Sequence, residues 1–317
     1  MRTIEIKEND SAQRLDKFLS KKFRGMPNSL LYKYLRTKRI KLNGKKAQPD
    51  TFLNEGDVLT LYISDEFFGE SDEKRAFLRI IPNVNVVFED KNIIVVDKPA
   101  GMLCHSDDRE GFNTLINHIK AYLYEKGEYD VDKEETFAPS LCNRIDRNTC
   151  GLVIAAKNAS ALRIVNEKIK NRELDKRYLA VIHGIPEKKN DTIRSYLQKN
   201  SDENRVVMRN QKHSSEVKEA VTGYKVIESS GGLSLIEVEL ITGRTHQIRA
   251  QMASIGHPLL GDGKYAVNKD DRKKGYTYQA LCSYSLTFKA GKEPTELDYL
   301  NGRTFKAKEP DFMKLFR

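Results

Sequence analysis

Hydrophobic residues in the first 63 positions follow a helical pattern and then a strand-like one. Apolar positions three and four apart predict one amphipathic helix, and a second from Asn28 or Ser29, either of which can cap it, through about Leu35. The two apolar stripes consist of Leu15, Phe18, Leu19 and Phe23, and of Leu30, Leu31, Tyr34 and Leu35. "RIKLNGKK" then predicts a short strand running into an Asn43-Gly44 turn, and "EGDVLTLYI" an alternating closing strand. The pattern indicates a small α+β unit over residues 1–63.

From about residue 79 the pattern is that of strands. "VNVVFEDKNIIVVDKPAG" contains two apolar runs around a turn at residues 90–92, and "CGLVIAAKN" has the composition of a buried strand. An amphipathic helix from Ser160 to about Asn171 follows, and "RYLAVIHG" and "LSLIEVELITG" predict further strands. We therefore predict an α+β domain over residues 79–317, built on a mixed, largely antiparallel sheet.

The segment "ITGRTHQIRAQMASIGHPLLGD" predicts a helix with charged residues beside its apolar stripe. Thr245 is expected to cap a helix from His246 to Ile255, and Gly256 to end it. The predicted buried stripe consists of Ile248, Met252 and Ile255. Arg249 then lies on the flank, within reach of a carboxylate on a neighbouring strand. Because a carboxylate that accepts an arginine stays ionised well below neutral pH, such a pair suits a nucleophile.

The charge of the chain is concentrated near its N-terminus. The 317 residues contain 55 Lys+Arg and 45 Asp+Glu, a net charge of +10. Residues 11–63 hold twelve basic and four acidic residues and so contribute +8 of it, which favours a polyanionic partner. The expected phosphate-contacting surface, near the junction of the two helices, consists of Lys33, Arg36, Lys38 and Arg39. "SDEFFGESDEKR" then predicts an acidic linker at residues 64–78.

Other classes of protein and of site find less support. No stretch approaches the roughly 20 apolar residues of a membrane span, and the first nine residues are too polar for a secretory signal, so we expect a soluble, cytoplasmic monomer. The cysteines form no C-x-x-C pair, and we expect them to be reduced and mostly packed. A zinc site made of Cys104, His105, Cys142 and Cys150 would match no common ligand spacing.

One carboxylate, Asp146, lies between Arg144 and Arg147, just before the apolar run of "CGLVIAAKN". It is either part of a surface ion pair or a reactive group held in place. The same R-x-D spelling occurs at Arg14-Leu15-Asp16, where Asp16 falls in the first turn of a predicted helix and complements its dipole, so we predict a structural role there. Tyr178, after an arginine at the head of a strand, is a further candidate. Taken singly, each of these groups also fits an ordinary ion pair or packing role.

Taken together, four segments resemble the motifs of the RluA-type RNA pseudouridine synthases. "NRIDRNTCGLVIAAKN" resembles the signature H-R-L-D-x-x-T-S-G-L, "DKPAGMLCH" the segment K-P-x-G-x-x-x-H, and "KRYLAVIHG" the strand K-x-Y-x-A-x-x-x-G. "TGRTHQIRAQMASIGHPLLGDGKYA" is similar to the third motif almost letter for letter. The resemblance covers about residues 10–63 and 84–288 in the family's order, and the N-terminal unit resembles the alpha-L RNA-binding module of ribosomal proteins.

This resemblance implies that the protein converts uridine to pseudouridine in RNA, with no metal or organic cofactor. Asp146 falls on the family's catalytic aspartate, which attacks either C6 of the base or C1′ of the ribose. Arg144 falls on the arginine that enters the stack when the target nucleotide flips out. Tyr178 falls on the tyrosine that packs on the flipped base and helps to move the C5 proton, and Arg249 on the arginine that pairs with the aspartate. Members with this module often act on large-subunit ribosomal RNA, and transfer RNA stays open as a target.

The chain departs from the family pattern at four flanking positions, which puts its RNA preference in doubt. They are Asp97, Asn143, Cys150 and Cys282, where the family has Asn, His, a small Ser or Gly, and His. Two other functions stay open from the residues alone. A catalytically silent RNA-binding protein of ribosome assembly would share the basic module. A glycosidic hydrolase would need a second acid near Asp146, for which Asp107-Asp108 is the nearby candidate.

Overall fold

The N-terminal 63 residues of the computed structural model form a small sheet with two helices packed on it. The structure describes residues 1–69, 75–107, 110–200, 205–209 and 211–317. The small sheet has the antiparallel order β1-β4-β2-β3. Its elements are β1 (Arg2–Glu5), α1 (Leu15–Lys22), α2 (Asn28–Arg36), β2 (Ile40–Leu42), β3 (Lys45–Lys46) and β4 (Val58–Leu61). The predicted helices and the hairpin are present, whereas the pattern analysis missed β1.

The core of this small unit is the predicted apolar stripe of α1. All four residues of that stripe are at most 2% exposed, and Leu31 and Leu35 of α2 pack against them. The predicted cap of α2 is wrong. Pro27 occupies the N-cap position without a side-chain bond, and Asn28 and Ser29 lie inside the first turn. The Asn28 side chain instead accepts a hydrogen bond from Ser20 of α1, so it joins the two helices rather than capping one.

The rest of the chain is organised by one large sheet, which confirms the predicted fold class. Over the described residues it has eleven strands, in the order β11-β10-β12-β13-β9-β14-β8-β6-β5, with β15 on β14 and β7 on β8. These are β5 (Val86–Glu89), β6 (Ile93–Lys98), β7 (Ser140–Leu141), β8 (Cys150–Ala156), β9 (Leu174–His183), β10 (Asn190–Asn200), β11 (Arg205–Arg209), β12 (Lys218–Ser230), β13 (Leu233–Leu240), β14 (Leu281–Phe288) and β15 (Thr304–Lys306). Neighbouring strands are antiparallel except β8 and β14, which run parallel.

Helices cover both faces of this sheet. They are α3 (Leu115–Glu125), α4 (Ala159–Lys170), α5 (Gln247–Ser254) and α6 (Lys269–Lys273). Strand β6 shows the division: Ile94 and Val96 enter the core beneath α3 and α5, and Ile93 and Val95 the core beneath α4. Because successive strand residues point to opposite faces, a strand buried on both faces is apolar at consecutive positions, as β6 is over residues 93–96.

The parallel strands β8 and β14 come into close contact at Gly151. Gly151 of β8 has φ +108°, and a Cβ atom at this position would lie 2.3 Å from the carbonyl oxygen of Ser283 on β14. A side chain at residue 151 would therefore force the two strands apart. Ser283 also pairs with Tyr178 on β9, on the other side of β14. The close contact at Gly151 thus fixes β8 relative to β9, the strand of Tyr178. Strand β8 begins just after the loop of Asp146.

The small unit contacts the large one through the short segment before α1. Asp10 is fully buried, and its carboxylate accepts hydrogen bonds from the main chain and the hydroxyl of Thr136, the former at 3.0 Å. Asn9 accepts a hydrogen bond from the first main-chain N–H of α4, that of Ala159, at 3.1 Å. Between the units, residues 70–74 of the predicted linker lie outside the described residues. Phe77 already packs in the core beneath α3. None of the helices that the structure describes is both long and apolar enough to cross a membrane.

Candidate active site

Asp146 lies in an irregular loop that enters β8, and hydrogen bonds fix this loop on several sides. Before it, the side chain of Asn143 accepts a hydrogen bond from the main chain of Ile154 at 2.8 Å. The buried thiol of Cys104 lies 3.4 Å from the carbonyl oxygen of Ile145. After it, the main-chain N–H of Thr149 donates to the carbonyl oxygen of Asp146 at 3.1 Å. The carboxylate is therefore held by its backbone and is about a quarter exposed (27%).

A buried lysine ties this loop to the one that follows β6. Lys98 is fully buried, and its ammonium donates to the carbonyl oxygens of Pro99, Met102 and Arg147 at 2.8, 2.8 and 3.0 Å. Burial lowers the pKa of Lys98 to about 8, against the opposing effect of nearby thiols and carboxylates. Three carbonyl oxygens around one ammonium satisfy all its donors, which explains how the charge is accommodated in the core. In the sequence, Lys98 belongs to the K-P-x-G motif, from which no role for it was predicted.

Neither arginine beside Asp146 in the sequence pairs with it. Arg147 donates from Nε to the carbonyl oxygen of Gly101 at 3.0 Å, and Arg144 is exposed and makes no ion pair with any residue the structure describes. The partner is instead Arg249 of α5, whose Nη1 lies 2.8 Å from Oδ2 of Asp146. The pairing of Asp146 with Arg249, inferred from the helix pattern and the family resemblance, matches this geometry.

The main partner of Arg249 is a second carboxylate, Asp262. Nε and Nη2 of Arg249 donate to its two oxygens at 2.7 and 2.9 Å, so that this pair is bidentate. Burial favours a low pKa for Arg249, but the bonds to Asp262 and the charge of both carboxylates raise it above its ordinary value. Burial would likewise raise the pKa of Asp262, yet its bonds to Arg249 and to main-chain N–H groups lower it overall. Both groups stay charged, and Arg249 bridges the two carboxylates.

The helix that carries Arg249 begins differently from the prediction. Thr245 makes no cap, because His246 holds the N-cap position with φ +50°. The side chain of Gln247, the first residue of the helix, instead binds the segment before it. Its oxygen accepts hydrogen bonds from the main-chain N–H of Arg244 at 3.0 Å and from the hydroxyl of Thr242 at 2.8 Å. The helix is also shorter than predicted, and this leaves the expected core residue Ile255 39% exposed, just past its end. Ile248 and Met252 are buried as predicted.

His246 is a second group that faces Asp146, and the sequence analysis did not single it out. Its Nε2 lies 3.8 Å from Oδ2 of Asp146, and its Nδ1 lies 3.0 Å from the hydroxyl of Tyr265. Burial is the largest effect that lowers the pKa of His246 to about 4, so the ring is neutral at pH 7. Tyr265 also accepts a hydrogen bond from the main chain of Val206 at 2.9 Å. If Tyr265 donates its own proton to Nδ1, the ring proton is on Nε2, toward Asp146.

Tyr178 lies in the same core region as the Asp146–Arg249 pair. On β9 it pairs in register with Val238 of β13 and Ser283 of β14. It is 6% exposed and belongs to one hydrophobic cluster with Ile145 and Ile248, the neighbours of Asp146 and Arg249 in sequence. Burial raises the pKa of Tyr178 to about 12; a hydrogen bond from Ser283 works against this and the charge of Asp146 adds to it. Its hydroxyl therefore carries its proton at neutral pH.

The remaining charged candidates lie apart from this site. The charge-rich head of β9 presents Arg177 to three acids, at 3.2 Å from Asp175 and within 4 Å of Glu237 and Glu239. In the small unit, the predicted phosphate-contacting residues are all exposed: Lys33, Arg36, Lys38 and Arg39. Asp16 lies in the first turn of α1, as predicted, and is bound by Arg14.

Of the four positions that depart from the family pattern, two face each other. Cys150 of β8 and Cys282 of β14 are register partners and free thiols. Asp97 accepts a hydrogen bond from the main-chain N–H of Lys308 at 2.8 Å. Within the described part of the chain, no group of three or more His, Cys, Asp or Glu side chains is arranged to hold a metal ion.

The hydrolase alternative depends on a second acid near Asp146. Asp107 accepts a hydrogen bond from Glu110 in a surface loop, and Asp108 lies outside the described residues. Asp262 is the carboxylate that shares Arg249 with Asp146, but its lowered pKa and its bonds to that arginine leave it no proton to donate. The geometry therefore places one partly exposed carboxylate, Asp146, beside an arginine partner, and no acid–base pair among the described residues.

Comparisons with known proteins relate the chain to RNA pseudouridine synthases. The family model described as RNA pseudouridylate synthase matches residues 92–254. An uncharacterized RNA pseudouridine synthase of Mycoplasma capricolum is 33% identical over 97% of this chain and 97% of its own length. A ribosomal large subunit pseudouridine synthase C of Salmonella typhi is 29% identical over 86% of this chain and 82% of its own. Human RNA pseudouridylate synthase domain containing 4 has a similar fold, with a TM-score of 0.55 and 22% identity over 76% of this chain and 92% of its own.

Proposed function

We propose a substrate and a catalytic assignment from one premise: this chain belongs to the RluA-type family of RNA pseudouridine synthases and is an enzyme of that kind. The substrate is a uridine in large-subunit ribosomal RNA. Relatives named ribosomal large subunit pseudouridine synthase C, from Salmonella typhi and Yersinia pestis, support this choice. The basic surface of the small unit also fits a structured polyanion. We place the protein in the cytoplasm, where ribosomal RNA is made and modified. We propose that it acts as a monomer.

Asp146 is the nucleophile in this proposal. The observation that carries the assignment is that Arg249 and His246 both approach Oδ2, at 2.8 and 3.8 Å. No hydrogen bond from the residues that the structure describes reaches Oδ1. One oxygen is therefore held by a cation while the other, on a carboxylate that is 27% exposed, is free to attack. The arrangement serves attack on C6 of the base and on C1′ of the ribose equally.

Tyr178 and Arg144 complete the assignment. The reaction breaks the bond between N1 and C1′ and joins C1′ to C5; C5 loses its proton and N1 gains one. Because Tyr178 is buried and its pKa is about 12, it is a neutral phenol that packs on the base, and it relays the C5 proton by releasing its own O–H proton as it accepts that of C5. Arg144 is exposed and unpaired among the described residues, so its guanidinium is available to fill the stack that the flipped uridine leaves.

The test is to map pseudouridines in the ribosomal and transfer RNA of cells that lack this protein. We expect pseudouridine to be lost at defined positions of large-subunit ribosomal RNA. The parent protein should restore these positions and the Asp146→Asn variant should not. Loss confined to transfer RNA would overturn the substrate, and restoration by Asp146→Asn would overturn the nucleophile. Unchanged RNA would overturn both.

A further inference from the structure

Of the three charged side chains Asp146, Arg249 and Asp262, only that of Asp262 has no contact with solvent. Its side chain is 0% exposed, whereas those of Arg249 and Asp146 are 8% and 27% exposed. Oδ1 accepts, in addition to Nη2 of Arg249, main-chain hydrogen bonds from Lys264 at 2.9 Å and from Tyr265 at 3.3 Å. Asp262 is thus fixed by its own loop and cannot itself touch an RNA substrate, yet it binds two of the three guanidinium nitrogens of Arg249.

The loop of Asp262 holds the second group that faces Asp146 as well. The Tyr265 ring lies with its centre 5.4 Å from Cζ of Arg249, and its hydroxyl holds Nδ1 of His246. Both groups that approach Oδ2 of Asp146 are therefore oriented by a segment of four residues, 262–265. When buried residues behind a catalytic group hold it rigidly, its reacting atoms stay in place. Misplacement of these atoms by about 1 Å can reduce the rate by about 100-fold.

We propose that Asp262 is a positioning residue of the isomerisation: it fixes the guanidinium of Arg249 so that Nη1 alone is directed at Asp146. The inference rests on the proposed role of Asp146 and extends it to a residue that never meets the substrate. The chemistry of the pair explains the need. A guanidinium that is free to rotate can form a bidentate pair with Asp146 and engage both of its oxygens. Because Asp262 binds Nε and Nη2, it fixes the orientation of the guanidinium; in this orientation Nη1 contacts Oδ2 of Asp146, and no described residue donates to Oδ1.

The first experiment compares Asp262→Asn with Asp271→Asn. Asp271 is also buried and accepts a hydrogen bond from the main chain of Gly261, beside the same segment, but it binds His183 and not Arg249. We expect Asp262→Asn to reduce the single-turnover rate about 100-fold with an unchanged Kd for RNA. Asp271→Asn should lower the melting temperature and keep the rate. Parental single-turnover kinetics in Asp262→Asn, or equal losses of rate in both variants that follow their melting temperatures, would overturn the inference.

The second experiment uses guanidinium ion as a probe of the vacated site. In Arg249→Ala, millimolar guanidinium chloride should raise both the melting temperature and the single-turnover rate. In Arg249→Ala/Asp262→Asn both effects should need at least about tenfold more guanidinium, since the bidentate acceptor is gone. Equal responses of the two variants would overturn the role of Asp262 while leaving that of Asp146 intact. Parental activity of Arg249→Ala without guanidinium would instead refute the proposed function of the pair.

Discussion

Two stretches of the chain, Arg14-Leu15-Asp16 and Arg144-Ile145-Asp146, share one spelling and differ in almost every physical respect. In the first, the arginine and the aspartate bind each other, with Nε and Nη2 of Arg14 at 3.1 and 2.8 Å from the two oxygens of Asp16. In the second, Arg144 is exposed, and Asp146 is bound by Arg249, 103 residues further along the chain. In the first pair both carboxylate oxygens are bound by the arginine, whereas the second carboxylate has one oxygen to which no described residue donates.

The backbone explains the difference. Arg14 is the N-cap of α1, with extended φ and ψ of −70° and 145°, so its side chain folds back over the first helical turn where Asp16 lies. Arg144 and Asp146 lie in an irregular loop, and no helix brings them together. The comparison teaches that the spacing of charged residues does not define an ion pair until the local backbone is known. It also identifies Asp16 as a matched control for every experiment on Asp146.

The largest difference is expected between Asp146→Asn and Asp16→Asn. The first should abolish isomerisation, because an amide is no nucleophile, and should leave RNA binding intact, because removal of a negative charge cannot weaken attraction to phosphate. The second should stay active. Nucleoside analysis of the product RNA under single-turnover conditions measures this. Pseudouridine formed by purified Asp146→Asn would refute the assignment.

The next largest difference concerns the arginine partners. Arg249→Leu leaves Asp262 buried without a counter-charge, and loss of one member of a buried pair costs about 3–5 kcal/mol of unfolding free energy. Arg14 is 45% exposed, but Asp16 is 7% exposed and would lose its counter-charge, so Arg14→Leu should also lower the unfolding free energy and leave the activity unchanged. Denaturant unfolding and single-turnover rates of both variants test this. A parental rate in Arg249→Leu would contradict the pairing, and Arg244, bound instead to the carbonyl of Glu219, would be examined next.

A smaller effect, on RNA affinity, should distinguish the role of the small unit, which contains Asp16, from that of the large unit, which contains Asp146. We expect the unit of Asp16 to supply affinity and the unit of Asp146 to supply chemistry. Four exposed basic residues lie on α2 and the loop after it: Lys33, Arg36, Lys38 and Arg39. Replacing them by Gln should remove up to four phosphate contacts. The slope of log affinity against log salt should then fall by up to about 3. The single-turnover rate at saturating enzyme should not change.

Four exposed lysines elsewhere provide the control for this charge-neutralised variant. Each pairs with an acid three residues away in the sequence: Lys170, Lys188, Lys273 and Lys314. Their replacement by Gln changes the net charge by the same amount. If both sets changed the salt slope equally, RNA binding would depend on overall charge, and the targeting role of the small unit would be wrong.

The smallest effect follows from the titration of His246, a neighbour that Asp16 lacks. Because burial lowers the pKa of His246 from 6.5 to about 4, the unfolded chain binds its proton first, and stability falls as the pH falls between these values. The parent should lose up to about 1.4 kcal/mol more unfolding free energy per pH unit than His246→Gln. Denaturant unfolding at pH 7, 6 and 5 measures the slopes. Tyr32→Phe, beside Asp16, should keep the parental slope.

Much of the fold followed from periodicity, and the site only in part. The stripe of α1 and the apolar run of β8 are local patterns with one stable solution, and both appear as predicted. The predicted cap of α5 is wrong because His246, in the left-handed region, holds the N-cap position without a side-chain bond, and the side chain of Gln247 binds the main chain of Arg244, before the helix. Asp262 was missed because "LLGDG" has the composition of a turn. Its role depends on an arginine that an independent element brings to it.

The close contact of β8 and β14 at Gly151 limits which substitutions the protein tolerates there. Any side chain there would separate β8 from β14 and thereby shift Asp146 relative to Tyr178, although Gly151 holds no reactive group. A saturation mutagenesis screen for pseudouridine formation should therefore find position 151 as intolerant as position 146. Gly25, around which no atom lies within 4 Å of an added Cβ, should accept most residues. From such a screen alone, Gly151 would be taken for an active-site residue, although its intolerance comes from the close contact of two strands.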